Sequence, residues 1–218
     1  MAAAPENVGV PDLPWHVVER WQGYEGEGRA NLLRAAAVVT FYLVELCNYN
    51  GLRLGAFEMP RVRDRPFHLA VTALAVAATA AALGVQACLR SRVFPAGLKY
   101  VATAADLVLL TAALALADGP RSPLVAGYFL VLAMATLRFS LPLVRFATAG
   151  AVASYLYLLG YAAWFAGRDI RVPRYHQAFV LLALVLTGVT LGQVVRGVRG
   201  MARDYAARVG SARAGGVP

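Results

Sequence analysis

Few side chains in this sequence are placed to do chemistry, and their positions matter more than their number. Asp106 and Glu45 are two of only twelve acidic residues, and both fall inside long apolar runs. A carboxylate in such a run is costly, so it usually faces the bundle interior or a wet cavity, as a proton or ion site or as a conformational trigger. The same arrangement also serves as an ion pair that fixes helix register. Two arginines are candidate partners for Asp106: Arg34, about one turn inside the run that holds Glu45, and Arg138, at the end of another.

A second group emerges when residues are assigned depths along each run. Glu45, Asn48, Tyr49 and Asn50, then His68 and Thr72, Thr111 and Asp118, Tyr128, Tyr161 and Trp164, and Tyr175, His176 and Gln177 all fall toward one face of the membrane. Facing inward, they form a polar, aromatic pocket for a small or lipid-like ligand. Facing outward, they form the ordinary aromatic belt of a membrane interface. Glu45, Asn48, His68, Asp106, Tyr128, Arg138 and His176 are therefore the candidate ligand-binding or signalling residues. His68 and His176 on separate helices also raise the possibility of bis-histidine haem ligation, although both are shallow. Cys47 and Cys88 are expected near opposite ends of their helices, too far apart for a disulfide, and no zinc spacing occurs. No metal or cofactor is expected.

The elements that must position these residues are written in the composition. The chain has 218 residues, 59% hydrophobic and only 15% charged, with a mean hydropathy of +0.57. A water-soluble domain is less apolar. A spanning helix needs about 20 mostly apolar residues, and six stretches qualify: about 31–49, 66–89, 98–117, 123–139, 142–165 and 175–195. Asn31 reads as the N-cap of the first and Asn50-Gly51 as its end, while Ser122-Pro123 supplies a cap and an N1 proline for the fourth. The fold class is thus an all-α polytopic membrane bundle. Residues 1–30 are an expected cytoplasmic segment, with Trp15, Val18 and Trp21 forming an interfacial amphipathic stretch, and 197–218 a basic tail. The first 14 residues lack a basic n-region and an apolar core, so the chain is expected to insert through its own first helix.

The net charge of +9 and pI near 10.1 would suggest nucleic acid in a soluble protein. Between apolar runs, positive residues report orientation instead, and no nucleic-acid partner is expected. With both termini in the cytoplasm, 13 of the 21 Lys and Arg lie inside and 8 outside. The expected location is the cytoplasmic (inner) membrane. Arg196, Arg199 and Arg203 share a helical face and are expected to meet anionic lipid or to act purely as a topogenic cluster. Gly188 and Gly192 sit at GxxxG spacing, a close-packing signal for a bundle or a dimer. No P-loop, HExxH or GxSxG motif and no soluble catalytic domain is present, so no enzyme activity is expected. Paired broken helices of the transporter type are also missing. A transport pathway lined by Asp106 and Glu45 remains the alternative reading.

The stretch from Leu98 to about Gly160 carries Leu98-Lys99-Tyr100, Asp106-Leu107, Leu110-Thr111, the turn Asp118-Gly119-Pro120-Arg121-Ser122-Pro123, Tyr128-Phe129, Leu137-Arg138-Phe139 and Tyr155. It resembles the six-helix membrane input module that precedes bacterial sensor histidine kinases and some class III adenylate cyclases. That family's turn usually opens on two glycines, and Asp118 replaces the first here. The resemblance implies a sensory or anchoring unit that signals through its last helix. No output domain follows that helix in this sequence, so the implied partners are the bilayer, a separate kinase- or cyclase-type effector, or a second copy in a homodimer.

Overall fold

The computed structural model describes residues 13–54, 57–59, 64–91, 95, 97–165 and 172–214, with backbone alone for 13–23, 52–54, 57–59 and several positions beyond 202. The order is α1 (Leu13–Asn50), a hairpin of β1 (Leu52–Leu54) and β2 (Phe57–Met59), α2 (Arg65–Arg90), α3 (Leu98–Leu116), α4 (Gly127–Thr136), α5 (Leu141–Trp164) and α6 (Arg174–Ala214). Two 3-10 turns, Gly119–Arg121 and Pro123–Ala126, join α3 to α4. The hairpin is antiparallel, with Arg53 opposite Glu58.

Most boundaries follow the local chemistry. Asp64 caps α2 by accepting from the Phe67 amide, with a proline in the first turn, a helix-start signature. Ser122 accepts from the Leu124 amide ahead of Pro123. Gly51, at φ 78°, ends α1 in the left-handed region where glycine is unstrained.

Two expectations need correction. Asn31 is not a cap: α1 begins at Leu13 and carries Asn31 in its interior, because the turns before it are packed, with Gly26, Glu27 and Ala30 all buried. The basic stretch 197–214 continues α6 as helix, its Ala- and Arg-rich sequence favouring helix enough to offset its glycines. The fourth pass is short, since Pro123–Thr136 falls below the length of a full span. The expected interfacial residues Trp15, Val18 and Trp21 belong to α1, but their side chains are outside the described residues.

Among the described residues, five helical stretches are long and apolar enough to cross a membrane: Tyr24–Asn50, Arg65–Arg90, Leu98–Leu116, Leu141–Trp164 and Arg174–Ala202. Large apolar side chains such as Leu69, Val76, Leu83, Val108 and Phe179 stand fully outward. Such a surface would drive aggregation in water and matches lipid. This is the organisation of a membrane-embedded protein.

Helices α3, α4, α5 and α6 share the main core, built on Leu114, Tyr128, Leu132, Leu143, Tyr155, Leu158 and Leu184. Helix α2 packs on α1 and α3, and α6 packs on α4 and α5. Gly188 seats the Thr148 side chain so closely that a Cβ there would overlap it. The GxxxG spacing of α6 is therefore spent inside the bundle, on α5. Contacts such as Tyr24 with Leu89, Asn31 with Ala82, Arg138 with Lys99 and Gly192 with Leu141 put the start of α1, the end of α2, the starts of α3 and α5 and the exit of α6 at one end. This is called the charged end below, and the opposite one the hairpin end.

Candidate functional site

Two buried ion pairs organise the charged end. Arg34 donates from Nε to Asp106 Oδ1 at 2.6 Å and from Nη2 to Oδ2 at 2.8 Å. This two-pronged geometry is the strongest form of the contact, and it joins α1 to α3. Arg34 Nη1 also donates to Asn31 Oδ1 at 2.7 Å. Asn31 Nδ2 in turn donates to the Ala82 carbonyl and to Gln86 Oε1, which brings in α2. Of the two candidate partners for Asp106, Arg34 is the one used.

Arg138 has a different partner. Its Nη2 donates to Glu27 Oε1 at 2.6 Å, and its Nη1 to Thr103 Oγ1 at 2.6 Å and to the Lys99 carbonyl at 3.3 Å. The Glu27 and Arg138 side chains are 0% and 3% exposed. The pair is single-pronged: Glu27 Oε2 and Arg138 Nε are buried without a hydrogen-bond partner among the described residues. Unsatisfied buried groups of this kind cost free energy, so this pair holds its helices less firmly than Arg34–Asp106.

The turn that presents Arg138 is tightly built. Gly26 of α1 lies against it, where a Cβ would sit 2.7 Å from the Leu137 carbonyl oxygen. Phe139, the next residue after Arg138, has φ 45°, a left-handed conformation that strains a side chain with a Cβ. The Gly26–Glu27 segment of α1 thus latches onto a strained α4–α5 turn through Glu27 and Arg138.

At the hairpin end, part of the expected polar group is assembled. Glu45 Oε1 lies 3.4 Å from His68 Nδ1, with side chains 11% and 18% exposed. Asn48 donates to Glu45 Oε2 at 3.5 Å, the Tyr49 ring stacks on His68 at 4.1 Å between centroids, and the Tyr42 and Thr72 hydroxyls are 3.3 Å apart. All six residues belong to α1 and α2, so the result is a polar seam between two helices.

The other expected members lie elsewhere. Tyr128 is fully buried between α3 and α5, its hydroxyl 3.0 Å from Thr111 Oγ1 and close to Ser154. His176 is exposed at the start of α6, beside Tyr175, and Trp164 is exposed at the end of α5. Tyr128 is thus a core residue, and the exposed Trp164, Tyr175 and His176 match the aromatic and polar belt of a membrane interface. A pocket drawing on all six helices is therefore not what folds, because α1 and α2 pair at one side while the aromatic residues of α5 stack along its own surface, Tyr157 on Tyr161 on Phe165. The two histidines do not fit a haem either: His68 is engaged by Glu45 and Tyr49, and His176 is on a helix that packs on α4 and α5. Among the described residues, no cluster of three or more His, Cys, Asp or Glu has metal-binding geometry, and Cys47 and Cys88 are both free thiols. Arg196 and Arg199 lie on α6 beyond the core, and the Arg203 side chain is outside the described residues.

Glu27 and Asn31, the latter expected only as a cap, are further members of the site, together with Thr103 and Gln86. The signal for the first two was present: Glu27, Asn31 and Arg34 recur at i, i+4 and i+7, one face of a helix. It is hidden once the helix is taken to start at Asn31. No protein-family model, curated protein or solved structure matches the chain.

Proposed function

We propose that the protein is a non-enzymatic signalling module of the cytoplasmic membrane, with six passes and both termini in the cytoplasm. In this reading the α1–α2 seam at the hairpin end takes a small or lipid-like ligand. The charged end passes the resulting shift in α1 to a separate effector through the cytoplasmic extensions of α1 and α6. The observation that carries the proposal is that one helix, α1, bears both polar sites: Glu45 and Asn48 in the seam, Glu27 and Arg34 in the ion pairs. A shift or rotation of α1 at one end is then felt at the other, since a packed helix moves as a rigid element. The single-pronged Glu27–Arg138 contact, on a strained turn, is the element with two accessible arrangements. The excess of Lys and Arg at the charged end supports the orientation.

The transport reading has less support. Asp106 is neutralised by a two-pronged arginine. Arg34 and Glu45 are separated by eleven residues of α1, roughly 16 Å of rise, so the two carboxylates belong to separate sites.

Coupling between the sites is tested by pulsed electron spin resonance in nanodiscs. Spin labels go at Gly28 and Gly200, where added side chains meet open space, in a Cys47→Ala, Cys88→Ala background. Glu45→Gln is expected to shift or broaden the distance distribution at the charged end. A distribution unchanged by Glu45→Gln, and equally by His68→Ala, refutes coupling.

A further inference from the structure

The carboxylate in the α1–α2 seam is held loosely. Glu45 Oε1 lies 3.4 Å from His68 Nδ1, and Oε2 accepts from Asn48 Nδ2 at 3.5 Å. Full-strength hydrogen bonds from a cation to a carboxylate run about 2.7–2.9 Å, and Arg34 holds Asp106 at 2.6 and 2.8 Å. Glu45 is only 11% exposed, yet no Lys or Arg among the described side chains pairs with it. A carboxylate so far removed from water is costly without a close partner. The seam is therefore short of one hydrogen-bonding positive charge.

The surroundings narrow what can supply it. The Tyr49 and His68 rings stack at 4.1 Å and 17° beside the carboxylate, and an aromatic wall next to a negative charge suits a cation. Asn48 donates from Nδ2 to Glu45, and the carbonyl oxygen of the same amide is a further acceptor. Thr72 donates to the His68 carbonyl, so of the Tyr42 and Thr72 hydroxyls it is Tyr42 that donates to its neighbour. Both hydroxyl protons are thus committed within the seam. An anionic ligand would be repelled by Glu45, and a neutral one would leave it unpaired. A divalent metal ion needs more oxygen ligands, and no group of three or more His, Cys, Asp or Glu is assembled for one among the described residues. Depth is equally specific. Glu45 is five residues from the end of α1 at Asn50 and His68 three from the start of α2 at Arg65, about 5–8 Å along their helices, the depth of lipid headgroups.

Taking the seam as the ligand site of the proposed function, on which this step rests, we propose that the ligand carries a primary ammonium group. Its three N–H donors match in number the two oxygens of Glu45 and the side-chain oxygen of Asn48, with the Tyr49 and His68 rings as one wall. A quaternary ammonium has no N–H to donate and fits less well. The group belongs either to an ethanolamine lipid headgroup or to a free amine.

The test uses the full chain in nanodiscs. In discs of equal phosphatidylethanolamine, phosphatidylcholine and phosphatidylglycerol, native mass spectrometry reads which lipid stays on the protein. In phosphatidylcholine discs, calorimetric titration with decylamine, blanked against protein-free discs, reads the free amine. Enrichment of phosphatidylethanolamine over phosphatidylcholine supports a headgroup, and saturable binding of decylamine alone supports a free amine. Glu45→Gln is expected to weaken either about tenfold, as a charge-assisted contact is lost. Glu45→Asp, which keeps the charge, and His68→Phe, which keeps the ring wall, should retain most of the binding. Equal retention of the three lipids with no saturable amine binding overturns the ammonium ligand. So does binding left unchanged by Glu45→Gln in protein that elutes and melts like the wild type. Altered spin-label distances in Glu45→Gln without lipid or amine binding remove the ammonium ligand and leave the signalling reading intact, and binding without altered distances does the reverse.

Discussion

Removing one partner of the Arg34–Asp106 pair should be far more damaging than removing both. The two side chains are 4% and 10% exposed, and Asp106 receives two hydrogen bonds from Arg34. Asp106→Ala leaves the guanidinium with Asn31 as its remaining side-chain partner among the described residues. Orphaning a buried charge in this way costs about 3–5 kcal/mol. At roughly 2–4 °C per kcal/mol for a chain of this size, the melting temperature should fall by about 6–20 °C. Arg34→Met combined with Asp106→Leu removes both charges and keeps the volume, and should recover most of the loss, since apolar replacement of a buried pair is close to neutral. Thermal unfolding of the detergent-solubilised protein, followed by size-exclusion fluorescence, reads both variants. A single variant that loses less than about 1 kcal/mol, the range of an exposed pair, or a double variant as unstable as the single, would refute the claim that this pair is desolvated.

Other consequences follow from the same geometry. Glu27→Gln keeps the shape and removes the charge of the single-pronged pair. It should cost less than Asp106→Ala by the same assay, and it should raise labelling of a cysteine placed at Gly28. Gly188→Val should destabilise by about 1–3 kcal/mol through overpacking on Thr148, and Thr148→Ala in the same chain should restore part of the melting temperature. Phe139→Gly should relieve the left-handed strain, gaining up to about 1 kcal/mol, offset by whatever contact its half-exposed ring makes. Asp64→Ala should cost about 1 kcal/mol through loss of the α2 cap, seen as faster amide exchange in the first turn of that helix.

The apolar runs made the helices legible, because a run of about 20 apolar residues has few folded alternatives in a membrane. Turn chemistry set most ends: Ser122 and Gly51 behave as their residue types require. Hydropathy failed where helix and membrane span part company. Residues 24–30 and 197–214 are helical without being apolar, so a hydropathy reading cuts both helices short and turns Asn31 into a cap. The same error hid Glu27, whose partner Arg138 is 111 residues away in sequence, a pairing that no local pattern specifies. The Asp106 partner was narrowed to two arginines because both reach its depth; only the crossing of α1 and α3 decides for Arg34. Depth alone also gathered Tyr128 and His176 with Glu45. Depth carries no information about which way a helix is turned, and rotation sends Tyr128 to the core and His176 to the surface.

The two intramembrane carboxylates occupy separate sites, Glu45 in the seam at the hairpin end and Asp106 against Arg34. Reaction of Glu45→Cys and Asp106→Cys, each alone in the cysteine-free background, with a membrane-impermeant maleimide added to one side at a time distinguishes this arrangement from a shared pathway. Position 45 should be labelled from the hairpin side only and position 106 from neither side. Labelling of both positions from both sides would reveal a continuous wet pathway and contradict it.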